Sequence, residues 1–317
     1  MSGMSFFLPN LAASIADSDR NMNILAPTSW KEYQLLDSGD QEKLERFGKY
    51  ILRRPEPQAV WSKSLSAKDW ASQAHAHFIQ KGSHSGQWDR KKNMPDQWFI
   101  NNQNKGMKIR FRLGMTAFKH VGIFPEQAVN WNYIYDSLKK HPGAKTMKLF
   151  AYSGGASLAA KAAGADVIHC DSIRSVINWA KANMEASKLS DIRWLIEDAY
   201  KFVAREARRE NTYHAIMLDP PAWGHGPKGE KWKLEDMIND LTKEIKSIMH
   251  PDPLLLIFNS YSLGFSPLVL ENLVLTHFSK KISGKLQTGE LCLPEPSGRR
   301  LPMGIVTRFA KDLSDQK

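Results

Sequence analysis

Cysteine is almost absent: Cys170 and Cys292 are the only two in 317 residues, and neither belongs to a C-x-x-C pair. That argues against a disulfide framework and a cysteine-based zinc site, and it fits a reducing, cytoplasmic setting. Long apolar runs are missing too. The longest strictly apolar stretch, residues 254–258, falls far short of the roughly 20 residues a membrane span needs. Residues 6–16 are mildly apolar, but no Lys or Arg precedes them and Pro9 and Asn10 interrupt them, so a signal peptide is rejected. Neither an internal repeat nor a long low-complexity tract occurs. Acidic residues are in the minority, 33 against 44 Lys plus Arg, leaving a formal charge of +11. At 42% hydrophobic and 24% charged, the composition is that of a globular chain and excludes wholesale disorder.

The basic excess favours polyanionic partners, because neutralising phosphates releases condensed counterions. Residues 1–142 hold 20 basic and 13 acidic side chains, and six of the ten tryptophans: Trp30, Trp61, Trp70, Trp88, Trp98 and Trp131. Basic residues interleaved with aromatics suit an RNA-contacting face, where stacking contributes roughly 1–3 kcal/mol per base. Tryptophans of a globular chain more often anchor its core, and most of the six are read that way.

The length suggests about two domains. Residues 1–20, rich in Ser, Ala and Asp, read as a flexible leader. Residues 21–117 read as a small β-rich N-terminal domain, with a hairpin of 98–100 and 107–113 about a loop at 101–106, and a second loop at 81–88. Residues 118–317 alternate strands and helices. Strands are expected at 147–151, 166–171, 192–197, 214–219 and 254–259, and helices at 157–163, 172–188, 199–209 and 234–249, with Ser172 as an N-cap. Repeated βα units of this length mean a parallel sheet with helices on both faces. Two final strands, 285–293 and 304–310, surround a Pro- and Gly-rich turn. The expected fold class is α/β, a Rossmann-like, mostly parallel sheet closed by an antiparallel C-terminal strand pair.

In such a sheet, ligands bind at the carboxyl ends of the strands, near the point where strand order reverses. After the first strand of the second part comes Ser153-Gly154-Gly155-Ala156-Ser157, where glycines let the backbone approach a ligand. The second strand ends at Asp171, whose carboxylate can accept from both hydroxyls of a ribose. The third ends at Glu197-Asp198, where a carboxylate can accept from an adenine amino group. The fourth ends at Asp219-Pro220-Pro221-Ala222-Trp223-Gly224, where a reacting group would sit. Each alone has a bland reading, as a tight turn or a helix N-cap. On successive strands they point together to a nucleoside cofactor. The missing G-x-G-x-x-G fingerprint disfavours a dinucleotide and with it a nicotinamide-dependent oxidoreductase. S-adenosylmethionine, with an adenosine and no phosphate, needs only the acid pair and the glycine turn. His75 and His77 lack a third ligand partner, so no metal is assigned.

The run 149–157, with His169-Cys170-Asp171, Glu197-Asp198-Ala199 and Leu218-Asp219-Pro220-Pro221, resembles the class I S-adenosylmethionine-dependent methyltransferases. Within them it is similar to the group of large-subunit ribosomal RNA base methyltransferases. The resemblance covers residues 118–310 and includes 118–127, similar to a family segment lying over the cofactor. Residues 36–48 resemble a short-form subgroup without a separate N-terminal RNA-binding module. The resemblance implies Asp171 on the ribose, Asp198 near adenine, and Gly154 and Gly155 under the methionine part. Tyr152, Ser153, Ala156, Ser172 and Ala199 flank these as cofactor contacts, and Phe124 and Gln127 join them from the preceding segment. Asp219, Pro220 and Pro221 would form the methyl-transfer site.

Two departures matter. The family's cytosine-C5 branch places a cysteine nucleophile after the fifth strand, where this chain reads Asn259-Ser260-Tyr261-Ser262. Carbon-5 of cytosine needs covalent activation by a thiolate, so transfer to nitrogen is favoured. Amine-methylating members place an aromatic directly after Pro-Pro, where Ala222 stands here and Trp223 follows. The segment 223–233 reads as a mobile basic loop contacting substrate, with Trp223 as a stacking platform and Lys228, Lys231 and Lys233 on phosphates; a merely solvated loop is the other reading. His225 reads as a bystander more readily than as a base, Arg299 and Arg300 as solvated turn residues more readily than as RNA contacts, and Cys170 as structural. The expected function is methylation of a ribosomal RNA base, with a protein or small metabolite as the alternative acceptor. A catalytically silent RNA-binding protein is a further rival. Oligomeric state is not legible.

Overall fold

A computed structural model describes residues 23–313, apart from residues 29, 83–84, 92, 262–263, 279–281 and 283–285. The expected leader at 1–20 lies outside the described residues. The β-rich N-terminal part comprises β1 (Asn23–Leu25), β2 (Tyr33–Gly39), β3 (Glu42–Phe47), β4 (Tyr50–Pro55), α1 (Ala67–Gln73), β5 (Ala76–Gln80), β6 (Gly86–Arg90), β7 (Gln97–Asn104) and β8 (Met107–Gly114). Strands β2 to β6 form one sheet in chain order, and β7 and β8 form a separate hairpin. Its connection is shorter than the sequence suggested. Residues 101–104 are strand, and the turn is Lys105-Gly106 alone, with φ of 47° and 98°. Left-handed geometry at both turn positions matches the twist of the flanking strands. The expected loop at 81–88 is likewise cut short by β6, which takes residues 86–88. Helix α1 went unpredicted although it carries a reciprocal capping box between Ser66 and Asp69.

The tryptophans follow the core reading. Trp70, Trp98 and Trp131 are buried, and Trp30, Trp61 and Trp88 pack against the main core. Trp70 donates from Nε1 to Asp37, 2.8 Å away.

The second part runs α2 (Ala128–Leu138), β9 (Lys145–Leu149), α3 (Gly155–Ala162), β10 (Asp166–Asp171), α4 (Arg174–Ala186), β11 (Ile192–Ile196), α5 (Ala199–Arg208), β12 (Ala215–Leu218), β13 (Trp223–His225), β14 (Lys231–Lys233), α6 (Leu234–Ile248), β15 (Leu255–Ser260), α7 (Pro267–Phe278), β16 (Leu286–Pro294) and β17 (Arg300–Ala310). The main sheet has the order β1-β16-β17-β15-β12-β9-β10-β11. Strands β9 to β12 and β15 run parallel, and β17 is antiparallel to both β15 and β16. This is the expected α/β sheet with its antiparallel C-terminal pair. The chain steps outward from β9 to β11, then returns to β12 on the other side of β9. Strand order therefore reverses between β9 and β12, which fixes where a ligand cleft opens.

Two local expectations fail. Ser172 does not cap α4: the helix starts at Arg174 with Ile173 at the cap position and no side-chain cap. Instead Asp171 Oδ1 accepts from the Ile173 amide at 3.0 Å. Residues 223–233 are not a mobile loop but the antiparallel hairpin β13–β14. Trp232 pins it, buried against Phe150 and donating to the Pro221 carbonyl at 2.6 Å.

One apolar core spans both parts, joining Phe111 and Leu113 to Val121, Ile123, Leu291 and Leu301. The charged residues of β3 and β4 add a second tie. Arg54 is buried against Glu45, with Nη2 to Oε2 at 2.6 Å, and its Nη1 donates to the Lys119 carbonyl at 3.0 Å. The N-terminal sheet thereby fixes the segment that leads into α2.

Candidate active site

A cavity of about 610 Å³ opens at the carboxyl ends of the parallel strands. That size lies within the range of small-molecule sites. Of the sequence-predicted residues, Phe124, Tyr152, Asp171, Ser172, Asp198, Ala199, Asp219, Pro221 and Trp223 line it. Gln127, Ser153, Gly154, Gly155, Ala156, Pro220, Lys228, Lys231 and Lys233 are not among its lining residues. Sheet order arranges the acids along the cleft. Tyr261 follows β15, Asp219 follows β12, the turn at 150–154 follows β9, Asp171 ends β10, and Glu197-Asp198 follows β11.

The turn after β9 is strained. Phe150 and Tyr152 both hold φ near 50°, and Gly154 holds 96°. Left-handed backbone at bulky residues persists only where surroundings enforce it, and such positions concentrate at functional sites. Here the Tyr152 amide donates to Asp171 Oδ2 at 2.9 Å, and the Ala151 amide to the Cys170 carbonyl at 3.1 Å. The two glycines answer to packing as well. A Cβ on Gly155 would meet the Trp131 ring at 2.6 Å, and one on Gly154 would meet Ala180 at 3.2 Å. Ser153 donates to the Gly122 carbonyl, and its own carbonyl accepts from Asn183 Nδ2 at 2.9 Å.

Asp171 is held by the amides of Tyr152 and Ile173. Burial raises its pKa, and those amides together with Lys148 pull it back. Asp198 accepts from the Lys201 amide at 2.9 Å, so it caps α5 as well as lining the cavity. Glu197 is tied to Arg205. Asp219 differs from both: its Oδ1 is buried without a hydrogen-bond partner among the described residues. Burial raises its pKa against the attraction of Lys148. Lys148, buried in β9, donates to the Leu149 carbonyl at 3.0 Å, and burial lowers its pKa.

Sequence reasoning missed the other end of the cavity. Glu56, Gln58, Lys119, His120, Glu126, Tyr261 and Met303 line it, drawn from β-rich and C-terminal segments alike. The motif at 118–127 held the signal: of the two contacts expected there, Phe124 lines the cavity, but not Gln127. That side chain is buried and donates to the Tyr261 hydroxyl at 2.8 Å, while its neighbour Glu126 reaches the cavity wall. Phe124 sits between Tyr152 and Tyr261, with ring centroids 5.1 and 5.5 Å away. His120, next to Phe124, is held neutral by burial, its pKa lowered to about 3. Trp223, 62% exposed, stands at the rim with His225 against its ring edge. Lys228 and Lys231 are exposed on the same hairpin, and Lys233 pairs with Asp236 at 3.0 Å. Arg299 is not a free turn residue: it binds Asp37 at 2.8 Å and Glu295 at 3.0 Å. His75 Nδ1 accepts from the Ile51 amide. Both cysteines are buried.

A strand-end cavity with acids at the ends of β12, β10 and β11, on either side of the turn after β9, and no phosphate-binding glycine fingerprint asks for an adenosine-bearing cation. The family model described as S-adenosylmethionine-dependent methyltransferase matches residues 55–275. The chain belongs to that family. A solved S-adenosylmethionine-dependent methyltransferase from Agrobacterium tumefaciens is 34% identical, with a TM-score of 0.83 over 91% of this chain and 93% of that one. A Streptococcus mutans protein of 15% identity shares the fold, with a TM-score of 0.67 over 90% of this chain and 76% of that chain. The ribosomal RNA large subunit methyltransferase K/L of Shewanella frigidimarina is 28% identical over 42% of this chain and 19% of its own. That of Pseudoalteromonas translucida is 25% identical over 51% of this chain and 23% of its own. The methyltransferase thus spans about a fifth of the length of these curated relatives. Its cofactor is S-adenosylmethionine, a cation with a ribose diol, and the carboxylates of Asp171 and Asp219 suit it. No helix among the described residues is long and apolar enough to cross a membrane.

Proposed function

We propose that this methyltransferase methylates a base of RNA, with large-subunit ribosomal RNA as its acceptor. The observation that carries the reading is the cavity rim, where exposed Trp223 stands on a hairpin bearing Lys228 and Lys231. An aromatic at the rim of a pocket suits a base taken out of its stack, and the lysines suit flanking phosphates. The +11 charge supports a polyanionic partner, and the two relatives named as ribosomal RNA methyltransferases agree with it. An RNA acceptor also fits a cytoplasmic location.

Bound S-adenosylmethionine supplies an electrophilic methyl group on a sulfonium. The chain's own residues supply position. Asp171, steadied by two amides, offers its remaining lone pairs to the ribose. Asp198 and Ala199 flank adenine, and Ser172 closes that side. The strained turn at 150–154 brings Tyr152 to the cavity for the methionine part. Asp219, with Pro220 and Pro221 holding its backbone, stands at the transfer position and accepts from the incoming group. Alignment of the reacting groups accounts for most of the rate, since no bond to the protein has to form. Carbon-5 of cytosine is disfavoured because burial raises the pKa of both thiols. The division at 117/118 is part of the same reading: the first part adds Glu56 and Gln58 to the wall of the acceptor end, and the second holds the cofactor.

The test is transfer of radiolabelled methyl to ribosomal RNA, naked and in subunits, beside a protein extract, followed by nucleoside digestion. Label in one nucleoside, abolished by Asp219→Ala, is the expected result. Label confined to the protein or small-molecule fraction overturns the RNA acceptor.

A further inference from the structure

The acceptor end of the cavity holds a carboxylate with no role so far. Glu126 is buried in the short turn Pro125–Gln127 that leads into α2, and it lines the cavity. Both of its carboxylate oxygens are buried without a hydrogen-bond partner of good geometry among the described residues. An unpartnered buried carboxylate is costly, and its retention asks for a function. A network beside it fixes Tyr261. Arg308 Nη1 donates to Asn130 Oδ1 at 2.8 Å, and Asn130 Nδ2 donates to Gln127 Oε1 at 3.0 Å. Gln127 Nε2 then donates to the Tyr261 hydroxyl at 2.8 Å. That hydroxyl already accepts a bond, so its own proton turns toward Glu126 or an acceptor. Because β15 flanks β12 on the side away from β9, this end lies beyond Asp219, opposite the ribose acid.

We infer that Glu126 is a catalytic base, and that the acceptor is a nitrogen bearing hydrogen, an exocyclic amine or a ring imino group. The nitrogen lone pair forms the new N–C bond. The C–S bond breaks with its electron pair left on sulfur, and the proton shed by nitrogen ends on a Glu126 oxygen. A lone-pair site such as guanine N7 would shed no proton and leave this carboxylate idle. The titratable and charged groups around Glu126 are Lys43 and Glu45 of β3, Tyr33 of β2, and Tyr261. Burial outweighs the pull of Lys43 and raises the Glu126 pKa to about 7, where a general base works best near neutral pH. The inference rests on the RNA reading only for the choice of first acceptor.

The experiment compares wild type, Glu126→Gln and Glu126→Asp. It measures methyl transfer between about pH 5.5 and about pH 9, cofactor affinity by calorimetry, and the methylated atom by mass spectrometry of the nucleosides. Expected are a methyl group on a nitrogen that bore hydrogen, and a wild-type rate rising through about pH 7. Glu126→Gln is expected to be at least about 100-fold slower with no such rise. Glu126→Asp keeps the rise at a lower rate, and both variants bind cofactor as wild type does. Methyl on guanine N7 or on carbon overturns the inference and leaves the RNA reading standing. So does Glu126→Gln with the wild-type rate and profile, or with lost cofactor affinity. Label in protein alone overturns the RNA reading, and the same pH profile on that acceptor then decides the role of Glu126.

Discussion

Among the described residues, Asp219 and Glu126 are the cavity carboxylates with buried oxygens that lack a hydrogen-bond partner of good geometry, and their burial has a consequence for stability. For Glu126 the folded pKa of about 7 lies above the ordinary 4.5. Between those pH values the folded state keeps a proton that the unfolded state has released, so stability falls as pH rises through that window. The full fall is about 3 kcal/mol on the usual conversion. Glu126→Gln cannot titrate, and urea midpoints measured near about pH 5 and about pH 8 should show wild type losing this increment relative to the variant. Parallel losses in both would contradict the assignment. Asp171 and Asp219 were legible in the sequence because each ends a strand. Glu126 was not, since nothing local distinguishes a carboxylate that the fold buries from one it exposes. Gly155 was legible as a turn glycine, yet its tightest constraint is the Trp131 ring. Gly155→Ala should cost roughly 1–3 kcal/mol through overpacking, read as a lowered urea midpoint.

Elements turn these residues into a site. Strands β9 to β12 were readable from short β-branched and apolar runs between helices, and the strand order follows from parallel crossovers. The hairpin β13–β14 was not readable, because its sequence is rich in Gly and Lys and its order comes from a distant contact, Trp232 on Phe150 and the Pro221 carbonyl. Trp232→Ala should therefore release the hairpin, at roughly 3–5 kcal/mol for the lost side chain. Trp223→Ala should leave thermal stability unchanged and raise the KM for RNA, since its ring is exposed. A matching loss of stability in the second variant would reassign Trp223 to packing. Asp198 is both an α5 cap and a cavity residue. Asp198→Ala should cost about 1 kcal/mol as a cap, and a drop in cofactor affinity on top would mark the adenine contact.

At the scale of the molecule, the β-rich part and the methyltransferase sheet meet in one core and share the cavity walls. The alternation of strands and helices made the second part legible. The first part was legible only as β-rich, because its placement depends on buried pairs far apart in sequence. Arg54 on the Lys119 carbonyl, and Arg299 with Asp37, are the clearest of these. Arg54→Ala strips buried Glu45 of its two-pronged partner, leaving it the Tyr33 hydroxyl and Lys43, and should cost roughly 3–5 kcal/mol. It should also weaken cofactor and acceptor binding together, as Lys119 and His120 lose their anchor. In the proposed function, one cavity has its cofactor end at Asp171 and its transfer position at Asp219. The most direct test measures cofactor affinity and methyl transfer side by side in Asp171→Ala and Asp219→Ala. The account predicts at least about tenfold weaker cofactor binding for Asp171→Ala, a loss of about 1.4 kcal/mol or more. It predicts near wild-type binding with abolished transfer for Asp219→Ala. Unchanged affinity in the first variant, or retained transfer in the second, would contradict it.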